Sequence, residues 1–142
     1  MLKKKKIIFL CTQNSARSQM AEGLMGTLFG EEYEVFSAGT DPYRVNPFAI
    51  KAMELDGIDI SNYRSKSIDE YLGVKFDWVV TVCDNARENC PFIPYGQRYL
   101  HQNFTDPASI KGSDEEVLAE FEKVREEIKA WLVENFGRGK II

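Results

Sequence analysis

Cys11 and Arg17 stand six positions apart, in a polar turn that follows the apolar stretch IIFL and ends at Ser18. A helix beginning near Ser18 would leave its first backbone N–H groups unpaired and directed over this turn. Those donors and the helix dipole favour a bound anion and the thiolate form of a nearby cysteine. An arginine adds a planar fork that can hold a tetrahedral oxyanion by two hydrogen bonds. The pattern therefore predicts a nucleophilic Cys11 and an oxyanion site made of Thr12, Gln13, Asn14, Ser15, Ala16, Arg17 and Ser18.

The same stretch has a purely structural interpretation, in which Cys11 is a small buried hydrophobe and Arg17 is a surface cation. The C-x5-R spacing is short, and by itself it does not exclude this interpretation. The position between a predicted strand and a predicted helix, with Ser18 directly after the arginine, favours the catalytic one.

Two further cysteines, Cys83 and Cys90, lie seven positions apart in VCDNARENCP, directly after a predicted strand. They could be two buried thiols or half of a metal site. A structural zinc site needs four ligands, usually with more closely spaced cysteine pairs, and the single histidine, His101, is remote in sequence. We therefore interpret His101 as an ordinary strand residue and expect neither a metal nor an organic cofactor.

The spacing of Cys83 and Cys90 also limits how they could form a disulfide. In a helix their Cα atoms would lie about 10.5 Å apart along the axis, whereas a disulfide needs roughly 4.4–6.8 Å. Oxidation would therefore require this segment to unwind. Asp84, Asn85 and Asn89 are poor helix formers, so little helical stability opposes that change. A movable dithiol of this kind is what a thiol–disulfide relay needs.

Strand signals and helix signals alternate along the chain. Apolar or β-branched runs predict strands at residues 6–10, 33–37, 76–82 and 97–100. Four helices are predicted between and after these strands. The first runs from near Ser18 to Gly30, and the second begins at Asn46 and Pro47 and runs to about Asp56. A short third helix, capped by a Ser67–Glu70 box, ends near Gly73, and a long last helix is capped by Ser113 and Glu116.

This alternation predicts a single α/β domain over residues 1–142, a three-layer sandwich around a four-stranded parallel sheet. In such sheets ligands bind at the carboxyl ends of the strands. Cys11 and Cys83 both fall at predicted strand ends, where a site is expected.

The composition excludes several classes of function. Hydrophobic residues make up 44% of the 142 residues, charged residues 28%, and the net charge of −4 argues against a nucleic-acid partner. The basic run at residues 3–6 leads into a strand, and we interpret it as solvated. No apolar run approaches the roughly 20 residues of a membrane span, and no secretory signal peptide is recognisable. We expect a cytoplasmic monomer, whose three cysteines fit thiol chemistry better than a disulfide framework.

The stretch CTQNSARS resembles the phosphate-binding loop of the low-molecular-weight protein tyrosine phosphatase superfamily, which includes thioredoxin-coupled arsenate reductases. The order of Cys11, Arg17, Cys83, Cys90 and Asp106 resembles that of the reductases over nearly the whole chain.

Within this resemblance, Asp106 of NFTDPAS matches the general acid that protonates the leaving oxygen, although an Asp-Pro pair taken alone is a common turn. Ala108 follows as in the arsenate reductases, whereas the phosphatases usually have an aromatic residue just after Asp-Pro. Gln13 is a departure, because many relatives have glycine at that position.

The resemblance implies a relay that reduces arsenate. Cys11 would attack arsenic, Cys83 would attack Cys11 and release arsenite, and Cys90 would attack Cys83 to leave a Cys83–Cys90 redox disulfide. Thioredoxin is the implied reductant. Phosphate, which arsenate mimics in shape and charge, is the competing oxyanion.

Two other functions remain open. A tyrosine phosphatase would use Cys11, Arg17 and Asp106 through a phosphocysteine intermediate, but it leaves Cys83 and Cys90 unexplained. A phosphoanion- or phosphopeptide-binding module would need the arginine and the amide donors but no nucleophile, so Cys11→Ser would leave its function intact.

Some arsenate reductases of this type hold a monovalent cation near the loop, closed by an acidic residue in the segment that matches SNYRSKSID. Lys66 stands at that position here, and Asn14, Glu22 and Ser37 match the rest of the site. We therefore predict that the Lys66 ammonium replaces the ion. The alternative is a solvated loop lysine.

Overall fold

Four parallel strands form the sheet in the computed structural model, which describes residues 3–83 and 96–137. The order across the sheet is β2-β1-β3-β4, with β1 at Lys5–Cys11, β2 at Tyr33–Gly39, β3 at Phe76–Thr81 and β4 at Gly96–His101. The predicted four-stranded parallel sheet is confirmed.

Three α-helices and two short 3-10 turns accompany these strands in the described residues. They are α1 at Arg17–Phe29, α2 at Pro47–Leu55, α3 at Asp114–Phe136, and the 3-10 turns Ile68–Tyr71 and Pro107–Ser109. The Asn46 side chain accepts from Phe48 N at the start of α2, and Ser113 forms a complete capping box with Glu116 at the start of α3. Both predicted caps are confirmed.

The predicted capping box of Ser67 and Glu70 is present only in part. Ser67 Oγ accepts a hydrogen bond from Asp69 N at 3.1 Å, as a cap should. The Ser67 hydroxyl thus caps the N–H that precedes the predicted one. The Glu70 carboxylate accepts two hydrogen bonds from the Arg64 guanidinium, at 3.0 and 2.5 Å, and interacts more weakly with the Ser67 backbone.

The sheet buries both of its faces. Side chains of β1 alternate, so that Ile7 and Phe9 pack with the three helices while Ile8 and Leu10 point to the opposite face. On that second face they pack with Ile68 of the first 3-10 turn. The predicted three-layer arrangement is therefore confirmed. In the described residues no helix combines the length and the apolar character needed to cross a membrane.

The carboxyl ends of β1 and β3 remain paired up to the cysteines. Leu10 pairs with Thr81, and Val82 N donates to Leu10 O at 2.9 Å. Cys11 and Cys83 therefore emerge side by side at the edge of the sheet where parallel α/β folds bind their ligands.

Candidate active site

A cavity of about 460 Å³ opens at the carboxyl edge of the sheet. It collects residues from four separate parts of the chain, namely the loop after β1, the loop after β2, the end of β3 and the segment after β4. The lining residues are Cys11, Thr12, Gln13, Ser15, Ala16, Arg17, Asn46, Cys83, Asn103, Asp106 and Ala108. Four of the five predicted catalytic residues thus lie on one cavity, and the fifth, Cys90, falls outside the described residues.

In residues 12–16, here called the anion loop, the carbonyl groups of Thr12, Gln13 and Ser15 are turned outward. Three backbone N–H groups after β2 donate to them: Asp41 to Thr12 at 2.8 Å, Tyr43 to Gln13 at 3.2 Å and Asn46 to Ser15 at 2.9 Å. Because C=O and N–H point in opposite directions across a trans peptide, the N–H groups of Gln13, Asn14 and Ala16 are turned to the inside of the loop. Converging amide donors of this kind bind an oxyanion.

Helix α1 adds its own N-terminus to this array. Its N-cap residue is Ala16, which has no side chain able to cap the first N–H groups. Those N–H groups and the positive end of the helix dipole therefore remain directed at the loop, as the sequence predicts.

Gly39 lets the anion loop pass directly over the end of β2. A Cβ atom at this position would lie 2.5 Å from Thr12 O and 2.8 Å from Asn14 N, both of which are backbone atoms. Any other residue would push the loop away from the sheet.

The Cys11 thiol is buried, 3% exposed, and its Sγ atom lies 2.8 Å from Ser18 Oγ. Asn14 Nδ2 donates to Ser18 Oγ at 2.8 Å and to Ser37 Oγ at 3.0 Å. Since Ser18 Oγ accepts from the amide, its hydrogen is available for the sulfur.

The side chains of Asn14 and Ser18 lie beneath the anion loop, so these residues would contact an oxyanion through their backbone N–H groups. Both are fully buried, and neither lines the cavity, although both were predicted as oxyanion-binding residues. Asn14 has φ +48°, a left-handed conformation that asparagine tolerates better than most residues. Their side chains form a layer beneath the anion loop that fixes its shape.

Arg17 lies at the rim of the cavity with its guanidinium held in place. Its Nη1 atom donates to Phe104 O at 3.0 Å, and its Nη2 atom lies 4.0 Å from Asp106 Oδ2. Asp106 Oδ1 accepts from Ala108 N at 3.0 Å, which orients the carboxyl group while its side chain stays 47% exposed. An oxyanion held by Arg17 would therefore have a carboxyl group beside it.

Cys83 is 2% exposed and lines the same cavity as Cys11. Its Sγ atom lies 3.7 Å from the hydroxyl oxygen of Thr12, the residue that directly follows Cys11. This contact places the Cys83 thiol beside the residue that follows Cys11, an arrangement suited to thiol–disulfide exchange. His101 ends β4, with Nδ1 2.7 Å from Thr81 Oγ1. Within residues 3–83 and 96–137, no cluster of three or more His, Cys, Asp or Glu side chains could hold a metal.

Lys66 is 8% exposed, which contradicts the alternative of a solvated loop lysine. Its Nζ atom donates to Arg64 O at 2.9 Å and lies 3.7 Å from Glu22 Oε1, and its backbone N donates to Asn14 Oδ1 at 2.9 Å. Burial lowers the pKa of Lys66, an effect that the charge of Glu22 partly offsets. Burial likewise raises the pKa of Glu22, against hydrogen bonds from Ser37 and Lys66. The ammonium thus sits against the layer beneath the anion loop.

Three residues near the site were not identified from the sequence. Asn46 was predicted only as a helix cap, and Asn103 not at all, yet both line the cavity. Both follow strands, so the rule that sites form at carboxyl ends could have found them. Gln19 lies buried within α1 and contacts the anion loop, and its sequence context carries no signal.

Comparison with known proteins agrees with this geometry. The family model for low molecular weight phosphotyrosine protein phosphatase matches residues 6–137. An arsenate reductase of Halalkalibacterium halodurans is 50% identical over 127 residues, which cover 89% of this chain and 91% of that protein.

Solved structures show the same likeness. An arsenate reductase in the phosphate binding state superposes with a TM-score of 0.76 at 34% identity, covering 95% of this chain and 98% of that one. A thioredoxin-dependent arsenate reductase of Corynebacterium glutamicum has a TM-score of 0.64 at 25% identity, covering 92% of this chain and 63% of that one. The chain belongs to the low molecular weight phosphotyrosine protein phosphatase family.

Proposed function

We propose that this protein is an arsenate reductase that works through a relay of three cysteines. The observation that carries the proposal is that Cys83 lines the same cavity as Cys11 and Arg17. Hydrolysis of a phosphate ester needs one nucleophilic thiol, whereas reduction of an oxyanion needs a second thiol beside the first. The names of the similar proteins support the same activity.

The first step forms a covalent bond between the enzyme and arsenic. The anion loop and Arg17 bind arsenate, and the Cys11 thiolate attacks the arsenic atom. One arsenate oxygen leaves as water, with Asp106 as the proton donor. The hydroxyl of Ser18 stabilises the thiolate before the attack, because it lies 2.8 Å from Cys11 Sγ.

The second step transfers two electrons to arsenic. The Cys83 thiolate attacks Cys11 Sγ, the sulfur–arsenic bond breaks, and its electron pair stays on arsenic, which leaves as arsenite. Cys11 and Cys83 are then joined in a disulfide. Cys90 attacks Cys83 Sγ in the third step, which releases the Cys11 thiolate and leaves a Cys83–Cys90 disulfide.

A dithiol protein must then reduce the Cys83–Cys90 disulfide, and we assign this role to thioredoxin. The thioredoxin-dependent structural neighbour supports that choice. The cycle requires reduced thiols at rest, which fits a cytoplasmic enzyme.

Phosphatase activity is the competing function, and the family match is the observation that favours it. Cys11, Arg17 and Asp106 could equally form and hydrolyse a phosphocysteine. In that case Cys83 would have no chemical role.

The deciding experiment compares both activities on one preparation. Arsenate-dependent NADPH consumption is measured with thioredoxin and thioredoxin reductase, and p-nitrophenyl phosphate hydrolysis is measured in parallel, with Cys11→Ser as the inactive control. We expect arsenate turnover to exceed ester hydrolysis by orders of magnitude. Efficient ester hydrolysis without arsenate-dependent oxidation of NADPH would refute the reductase assignment.

A further inference from the structure

The carboxamide of Gln19 makes three contacts beneath the anion loop. Its Nε2 atom lies 2.8 Å from Asn14 Oδ1, 3.1 Å from Asn14 O and 2.9 Å from Arg64 O. Gln19 is fully buried in the first turns of α1. The two N–H groups of the carboxamide are thus shared among three acceptors. Two of these acceptors belong to Asn14, the residue with the left-handed backbone.

The orientation of this carboxamide is determined by its surroundings. If it were reversed, Oε1 would face three oxygen atoms, so the nitrogen must face them. In the present orientation Oε1 is buried and accepts no hydrogen bond from any described residue. Burying an unsatisfied carbonyl opposes folding.

Two of the three acceptors have a second donor. Asn14 Oδ1 also accepts from Lys66 N at 2.9 Å, and Arg64 O also accepts from Lys66 Nζ at 2.9 Å. The backbone carbonyl of Asn14 differs, because Gln19 is the one donor that reaches it within the described part of the chain. The specific contribution of Gln19 is therefore to the peptide between Asn14 and Ser15.

We propose that Gln19 is a positioning residue that keeps the Asn14–Ser15 peptide turned so that Ser15 N–H points into the anion loop. The proposal rests on the proposed use of this loop to bind an oxyanion beside Cys11. The neighbouring peptides are held by backbone donors from residues 41–46, whereas this one is held by a side chain. Without Gln19 the peptide can rotate, which would replace an inward N–H donor by an inward carbonyl oxygen.

An inward carbonyl would act on two measurable properties. It would repel a bound oxyanion, and it would disfavour the thiolate of Cys11 for the same electrostatic reason. Gln19→Met keeps the volume and removes a buried unsatisfied oxygen, but it also leaves Asn14 O without its donor, so some loss of stability accompanies the substitution. A loss of anion binding and thiol reactivity in protein that is still folded is the signature of a positioning role.

The experiment uses Gln19→Met, with Gln97→Met as the matched control on the exposed surface of β4. Alkylation of Cys11 by iodoacetamide, a neutral reagent, is followed by peptide mapping from pH 5 to pH 9. The inorganic phosphate concentration that halves the rate is measured as well. In Gln19→Met we expect the phosphate concentration that halves the alkylation rate to rise about tenfold, the effect of losing one hydrogen bond to the loop. We also expect the pH of half-maximal alkylation to rise.

Each outcome decides the proposal. A folded Gln19→Met protein with unchanged phosphate protection and an unchanged pH profile overturns it, as do equal changes in Gln97→Met. If Gln19→Met does not fold, hydrogen exchange of the wild-type side-chain amides decides. The Gln19 carboxamide should then exchange at least about a hundredfold more slowly than that of Gln97, and equal rates overturn the proposal. None of these readouts uses arsenate or thioredoxin, so they are independent of whether the protein reduces arsenate.

Discussion

The Ser18 hydroxyl lies 2.8 Å from Cys11 Sγ, and both atoms are buried. Asn14 Nδ2 donates to the same hydroxyl, so the Ser18 hydrogen is left for the sulfur. The reactive thiol is thus stabilised from beneath, by a chain of side chains that substrate does not touch.

Ser18→Ala should slow the alkylation of Cys11 by iodoacetamide at pH 6.5 about tenfold, because the thiolate loses a hydrogen bond from a neutral donor. Peptide mapping after timed quenching measures the rate. Ser113→Ala is the matched control, since it removes a hydroxyl that caps α3 far along the chain from the cavity. It should lower the melting temperature and leave the alkylation rate unchanged. Equal alkylation of Cys11 in Ser18→Ala and wild type would show that the hydroxyl does not stabilise the thiolate.

Arg17→Lys should lower kcat/KM about a hundredfold although the charge is kept. An ammonium cannot donate to Phe104 O and to two oxyanion oxygens in one plane, as a guanidinium can. Steady-state kinetics with arsenate, or with p-nitrophenyl phosphate if that is the better substrate, gives the ratio. Arg98→Lys, on the exposed surface of β4, is the control and should retain full activity. An Arg17→Lys enzyme with most of its activity would exclude Arg17 as the oxyanion clamp.

The sheet and its helices could be predicted from the sequence because their signals are local. Apolar runs, β-branched residues and caps such as Asn46 act on their own neighbourhood, and the structure agrees with them. The positions of Cys11 and Cys83 followed from the same signals, since each stands at the end of a predicted strand. The Ser67–Glu70 box forms only in part, because Ser67 Oγ accepts from Asp69 N and because Arg64, six positions before Glu70, competes for the carboxylate.

The layer beneath the anion loop could not be predicted in the same way. Gln19 contacts Arg64 O across 45 positions of sequence, and Lys66 N reaches Asn14 Oδ1 across 52. Such contacts depend on how the loop before the first 3-10 turn passes α1, which no local pattern specifies. The resemblance to a family supplied Lys66 as a candidate, whereas no comparable signal pointed to Gln19.

The buried ammonium of Lys66 should make the protein insensitive to potassium. The melting temperature is measured in potassium chloride and in tetramethylammonium chloride at equal ionic strength, and we expect the same value in both. Lys66→Met should lower the free energy of unfolding by about 2 kcal/mol, since Glu22 and Arg64 O lose a buried cationic partner. Lys51→Met removes an exposed pair with Glu54 and should cost less than about 1 kcal/mol. Strong stabilisation of the wild type by potassium would contradict replacement of the ion by Lys66.

The contribution of Glu22 to the free energy of unfolding should decline as pH rises. Burial raises the pKa of Glu22 above 4.5, so the native state binds this proton more tightly than the unfolded chain does. Between the unfolded value and the raised native value, the stability that Glu22 contributes therefore falls with increasing pH. The free energy of unfolding of wild type minus that of Glu22→Gln, measured by urea denaturation, should be largest near pH 4.5 and smaller at pH 7.5.

Glu70→Gln is the control for this pH dependence, because the sign of its effect is reversed. Hydrogen bonds from Arg64 lower the pKa of Glu70, so its contribution is lost as pH falls below 4.5 and is constant above that value. The free energy of unfolding of wild type minus that of Glu70→Gln should thus stay constant from pH 4.5 to pH 7.5. A difference for Glu22→Gln that is flat or rises over that interval would contradict a raised pKa.

The proposed relay makes two serine variants fail at different stages. Cys83→Ser and Cys90→Ser should both lose thioredoxin-coupled arsenate turnover, but they should keep any hydrolysis of p-nitrophenyl phosphate, which needs only Cys11, Arg17 and Asp106. Parallel assays of both activities on each variant measure this separation. Equal loss of both activities would instead indicate that the substitutions damage the fold.

The stage of failure identifies the order of thiol attack. Without Cys83, no thiol beside Cys11 can displace arsenite, so less than one equivalent should be released per enzyme. Without Cys90, one arsenite should be released and the enzyme should stop as a Cys11–Cys83 disulfide, which non-reducing peptide mapping detects. Wild type treated with arsenate alone should carry a Cys83–Cys90 disulfide instead, because the third step transfers the bond away from Cys11. If both variants reduce arsenate as fast as wild type with thioredoxin present, the relay is wrong, and Cys83 lines the cavity for another reason.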